Sequence, residues 1–85
     1  MLDNITLNIY TPEGSIFEGM VSAITLPGSI GTFTILNNHS PIISSLEKGT
    51  IKYTVKGETT EIGIKDGFVE GKGNTVTVCI ESIVK

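Results

Sequence analysis

A period of two runs through this chain and narrows its fold more than any other feature. Ile5, Leu7 and Ile9 alternate with Thr6, Asn8 and Tyr10, and Ile51, Tyr53 and Val55 alternate with Lys52, Thr54 and Lys56. Val76, Val78 and Ile80 alternate in the same way with Thr75, Thr77 and Cys79. Alternation sends successive side chains to opposite faces of a sheet, so each stretch reads as a half-buried strand. The residues involved are largely β-branched or aromatic, the types that pack well on a pleated surface. Turn signals separate the runs: Pro12-Glu13-Gly14, Pro27-Gly28, Asn37-Asn38, Lys56-Gly57-Glu58, Asp66-Gly67 and Gly71-Lys72-Gly73-Asn74. Glycine reaches the positive φ angles of tight turns freely, and Asn and Asp tolerate them. Turns every roughly 8–12 residues point to an antiparallel sandwich or barrel.

The pattern predicts strands near 4–11, 15–19, 21–27, 32–36, 42–47, 50–56, 59–65, 67–71 and 74–81. No stretch shows a capped helical period, an internal repeat or a low-complexity linker. The fold class is therefore all-β, an antiparallel β-sandwich. Ile5, Leu7, Ile9, Ile24, Leu26, Ile51, Val55, Val76, Val78 and Ile80 are expected to face its core.

Composition excludes several kinds of function. Eighty-five residues suffice for one domain with a lean core, expected to span 1–85. The net charge is −3 and the six lysines are scattered, unlike the clustered basic residues of a nucleic-acid footprint. No apolar run approaches the ~20 residues of a membrane-spanning helix, and "MLDNITLNIY" lacks the pattern of a signal peptide. One cysteine cannot form an internal disulfide, which fits a reducing compartment. These features describe a soluble, cytoplasmic domain.

Candidate chemistry centres on "GSIGTFTILNNHSP", residues 28–41, which holds the only histidine. His39 adjoins Ser40, and Ser29 is close in sequence. Residues 28–41 contain no Asp or Glu to orient the imidazole as a base, so a small hydrolase built on His39 and Ser40 lacks its acid. A single His with no second His or Cys at ligand spacing is poor metal chemistry. The string "GSIGTF" lacks the Lys-Ser/Thr of a phosphate loop, and no helix follows it. Gly28 and Gly31 read instead as the shoulders of a tight hairpin with Ile30 exposed at its tip, a pointer to a contact surface. Cys79 shares a strand face with Thr75 and Thr77, with nothing cationic nearby in sequence to activate it. Glu58, Glu61, Asp66, Glu70 and Glu81 are dispersed and read as solvated surface. No catalytic, cofactor or metal residues are predicted.

The motifs occur in a familiar order. "LNIYTPEGSIFEGMVSAITLPG" leads through a turn to Phe-x-Gly. "LPGSIGTFTILNNHSPIISSLEKGTIKY" then supplies a glycine hairpin, an apolar strand, a His-x-Pro turn and Leu-x-x-Gly-x-Ile. "IGIKDGFVEGKGNTVTVCIES" ends with Gly-Phe-Val-Glu and Asn-x-Val-Thr-Val. Nearly the whole chain thus resembles the N-terminal domain of the epsilon subunit of F-type ATP synthase. The resemblance implies a sandwich of about ten strands with no active site of its own. It implies a rotor subunit at the foot of gamma and against the c-ring, coupling ion flow to ATP synthesis at the cytoplasmic face of a bacterial inner membrane. By analogy Ser29, Ile30, Gly31, Thr32 and Phe33 approach the c-ring, and Asn38, His39, Ser40 and Pro41 contact gamma. No membrane insertion and no nucleic acid are implied.

Two departures from the family pattern stand out. The chain stops at Ser82-Ile83-Val84-Lys85, where the linker to a C-terminal helical hairpin would begin. Thr32 stands where many relatives carry an acid. The runner-up reading is a free-standing ligand-binding β-sandwich such as a carbohydrate-binding module. Such modules stack sugars on exposed aromatics, and this chain has five aromatics and no Trp.

Overall fold

The computed structural model describes residues 2–37 and 40–83. They form eight strands: β1 (Ile5–Thr11), β2 (Gly14–Val21), β3 (Ala23–Gly28), β4 (Gly31–Ile35), β5 (Ile42–Leu46), β6 (Gly49–Val55), β7 (Glu58–Lys72) and β8 (Thr75–Ile83). No helix occurs among the described residues. One layer runs β2-β1-β8 into the C-terminal half of β7 and on to β5. The other places β4, β3 and β6 against the N-terminal half of β7. The chain crosses between layers at Ser22, whose amide donates to the Thr54 carbonyl at 2.9 Å.

The alternating residues meet between the layers. Ile5, Leu7 and Ile9 of β1 and Val76, Val78 and Ile80 of β8 face Ile24 and Leu26 of β3 and Ile51 of β6, and all are buried. Phe17 of β2 reaches across to Tyr53 of β6 with ring centroids 4.5 Å apart and planes tilted by 41°. Offset, tilted ring pairs at this separation add to the stabilisation that burial provides. Of the side chains expected inward, Val55 alone lies outside the fully buried set; it is half-buried at the end of β6 and packs against the core.

Three expectations are corrected. The strand count is eight rather than about ten, and the segments expected at 59–65 and 67–71 are one strand, β7. Asp66-Gly67 is not a turn but a shift in the β7–β8 register, with Ile64 opposite Ile83, Asp66 opposite Ser82 and Gly67 opposite Ile80. The irregularity switches the inward row from Ile62 and Ile64 to Val69 and Gly71, so one strand can serve both layers. Gly67 permits this because a Cβ there would collide with the Cys79 carbonyl oxygen. Finally, the sandwich is not wholly antiparallel. β1 and β8 pair in parallel, from Thr6 opposite Thr75 to Tyr10 opposite Cys79. Alternation fixes which face a residue takes but carries no strand direction, so the pairing is invisible in the pattern.

β5 closes the architecture. It pairs with β7 from Ile42 opposite Gly71 to Leu46 opposite Gly67, and touches β3 at Gly28 opposite Leu46. Strands β3, β6, β7 and β5 therefore form a complete ring of backbone pairing, anchored at the base of the β3–β4 hairpin.

Candidate functional site

The β3–β4 hairpin pairs Ile24 with Ile35 and Leu26 with Phe33, and ends with Gly28 opposite Gly31. Its loop is Ser29-Ile30. Neither residue has a positive φ, whereas Gly31 sits at φ 147°, a conformation that favours glycine. Gly28 answers a different need: a Cβ there would fall 2.7 Å from the Phe33 ring and 2.9 Å from the Gly31 carbonyl. The Phe33 ring thus lies over bare backbone, and the tip narrows to a point. Ile30 stands at that point, fully exposed (102%).

The hairpin is firmly mounted. The Ser29 amide donates to the Ser45 carbonyl at 3.2 Å, and the Glu47 amide donates to the Pro27 carbonyl at 2.8 Å. The Thr25 and Thr34 hydroxyls bond across the strands at 2.9 Å. Beside the tip lies a groove of about 420 Å³, walled by Ile30, Thr32 and Phe33 on one side and Ile42 and Ser44 of β5 on the other. A second groove, of about 450 Å³, lies along β5 and β7 between Pro41, Ile42 and Ile43 and the Glu70–Lys72 stretch.

Of the residues expected at the c-ring, Ser29, Ile30, Gly31 and Thr32 are exposed and Phe33 is half-buried. Of those expected at gamma, Ser40 and Pro41 are exposed, while Asn38 and His39 lie outside the described residues. The grooves share Ile42, so the hairpin and the segment at Pro41 meet at one corner of the molecule. Among the described residues, no three His, Cys, Asp or Glu side chains lie close enough to hold a metal ion.

Ile43, 81% exposed, was not anticipated. Two adjacent isoleucines in an alternating strand force one of them outward, and that signal is present in the sequence. Phe68 also went unremarked. It is exposed beside Cys79, which in turn lies opposite Tyr10, giving the outer face of the first layer an apolar row. Cys79 itself is half-buried, on the face away from the core.

The class defined here is a small β-sandwich that presents a stiff, apolar hairpin from a closed scaffold. Residues 4–85 match the model of the ATP synthase Delta/Epsilon chain β-sandwich domain, and the chain belongs to that family. It is 40% identical over 82 residues to the ATP synthase epsilon chain of Desulfitobacterium hafniense, covering 96% of this chain and 62% of the relative. Against the epsilon chain of Wolinella succinogenes it is 42% identical over 85 residues, covering 99% of this chain and 65% of the relative. The chain thus spans less than two thirds of these relatives. A chain in the cryo-EM structure of Euglena gracilis mitochondrial ATP synthase, OSCP/F1/c-ring, superposes over 99% of this one and 54% of its own length. The TM-score is 0.89 at 21% identity. A chain of the Tetrahymena thermophila mitochondrial ATP synthase central stalk and c-ring gives a TM-score of 0.78 at 20% identity, over 96% of this chain and 66% of its own. At such identities these two likenesses are evidence of fold.

Proposed function

We propose that residues 1–85 act as one rigid, non-catalytic body in the rotor of an F-type ATP synthase, joining gamma to the c-ring and coupling ion flow to ATP synthesis. The complex would sit at the cytoplasmic face of a bacterial inner membrane, with this chain peripheral to the bilayer. The observation that carries the reading is the mounting of the Ser29-Ile30 tip on a closed ring of strands. Transmitting torque needs a body that does not deform and surfaces that adhere, and close packing supplies the first. The corner around the tip supplies the second, with Ser29, Ile30, Gly31, Thr32 and Phe33 against the c-ring and Ser40 and Pro41 against gamma; Asn38 and His39, outside the described residues, are assigned to gamma from the sequence alone. Membership of the Delta/Epsilon family and relatives named as epsilon chains support the assignment.

The test is reconstitution. Membrane vesicles whose ATP synthase lacks this subunit receive the purified full chain, and membrane-bound protein and ion-driven ATP synthesis are measured. The chain is expected to bind in a manner that requires gamma and the c-ring and to restore synthesis, while hydrolysing no ATP alone. Failure to bind, or binding without recovery of synthesis, would end the rotor reading.

A further inference from the structure

The chain has two methionines, and the one within the described residues, Met20, stands outside the core. It lies near the end of β2, the edge strand of the first layer, and is 45% exposed. In register it faces Thr6 of β1, whose hydroxyl donates to the Met20 sulfur at 3.2 Å. Thr6 is itself fixed in place. Its amide donates to the Asn74 carbonyl at 2.7 Å, and it forms the first rung of the parallel ladder, opposite Thr75. A thioether sulfur is a weak acceptor, so a donor held against it gains little in this state. Buried methionine fills gaps between apolar groups, whereas this one offers its sulfur to water and to a fixed hydroxyl.

We propose that Met20 is a site of reversible oxidation by hydrogen peroxide, and that the Thr6 hydroxyl holds the product. The sulfur attacks one peroxide oxygen, so that an S–O bond forms as the O–O bond breaks. The departing hydroxide takes the proton from the transferred oxygen and leaves as water. The thioether is thereby oxidised by two electrons to the sulfoxide, and the peroxide is reduced. Methionine sulfoxide reductases, drawing two electrons from thiols, remove the oxygen again as water. A sulfoxide oxygen carries partial negative charge and accepts far more strongly than the sulfur did. Bonded to that sulfur, it lies within reach of the same hydroxyl. In a core the new oxygen would be a buried polar group without a partner. At Met20 it meets a donor on one side and water on the other, so the fold survives. The inference concerns the sulfur and its neighbour alone and does not rest on the rotor reading.

The test exposes the full chain to hydrogen peroxide at about pH 5, where cysteine thiolate is scarce and a thioether reacts undiminished. Peptide mapping by mass assigns each added oxygen. Met20 is expected to gain one oxygen in the folded chain, at no less than about a third of the rate of a free methionine derivative, in keeping with its exposure. Methionine sulfoxide reductases A and B together should remove it. The oxidised wild type should keep its urea midpoint. Thr6→Val keeps the shape of the side chain without the donor. On oxidation its folding equilibrium constant should fall by on the order of two- to tenfold, the worth of one hydrogen bond. Thr6→Ser should behave as wild type, and Thr6→Ala supplies a second donor-free variant should Thr6→Val fold poorly. Oxygen taken up by Met20 only in urea would mean that the sulfur is closed off in the folded chain. Oxygen on Cys79 in place of Met20 would move the site. Equal loss of stability on oxidation in wild type and in the donor-free variant would show that Thr6 does not hold the product. Each of these results overturns the inference and leaves rotor assembly to the reconstitution.

Discussion

Two hairpins with loops of the same length behave differently. The β6–β7 loop is Lys56-Gly57, with φ of 50° and 81°, so both central residues are left-handed. Such a primed turn matches the twist of the strands it joins. A side chain secures it from outside: the Lys56 amide donates to Asp3 Oδ2 at 2.9 Å. The flanking strands carry Lys52, Glu58 and Glu61 toward water. The β3–β4 loop, Ser29-Ile30, has no positive φ, no charge and an isoleucine at its apex, and it owes its order to the backbone bonds at its base. One tip is shaped to fit its own strands, whereas the other is shaped to meet something else. Turn residues thus distinguish a connection from a contact.

Breaking the base common to both hairpins should have the largest effect. Leu26 lies fully buried on β3 between them, and Leu26→Ala should destabilise the domain by about 2–5 kcal/mol through lost burial and a residual cavity. Urea unfolding measures it; a loss below about 1 kcal/mol would mean that the layers do not share a core. The primed turn comes next. Gly57→Val places a β-branched residue at φ 81°, expected to cost on the order of 1–3 kcal/mol by the same assay. An unchanged midpoint would show that the loop changes conformation freely, removing half of the comparison.

The external clamp is weaker. Asp3 spends one oxygen on Lys56 while Oδ1 is buried without a hydrogen-bond partner, so desolvation offsets part of the bond's worth. Asp3→Ala should destabilise by about 0.5 kcal/mol, the low end for a single bond, with faster amide exchange at Lys56. Exchange unaltered at Lys56 would discard the clamp. The smallest effect on stability is expected at the apolar tip, where Ile30→Ser should stay within about 0.5 kcal/mol of wild type. A larger loss would make Ile30 part of the fold rather than of a contact.

The difference between the hairpins also marks what the sequence discloses. Alternation identifies β1, β6 and β8 and their inward rows because facing is a local property repeated every second residue. The exposed apex at Ile30 is legible for the same reason, as glycines on either side set its geometry locally. Nothing local says that Gly28 lies opposite Leu46, or that the hairpin groove borrows its far wall from Ile42. The parallel β1–β8 pairing and the bent β7 were likewise hidden. Direction and layer are settled by partners distant in the chain, and Asp66-Gly67 has the same composition in a turn as in a bulge.

The parallel pairing of β1 with β8 sets how the domain responds to force. The start of β1 and the end of β8 lie at opposite ends of their shared ladder. Tension applied between those two ends draws the strands past each other along their length, so it loads the rungs from Thr6–Thr75 to Tyr10–Cys79 together. A hairpin pulled open at its mouth loses its rungs one at a time and yields at small loads. Here the rungs must fail in concert, with β2 and β7 bracing the two strands from either side. The first and last strands thus act as a mechanical clasp, loaded in shear.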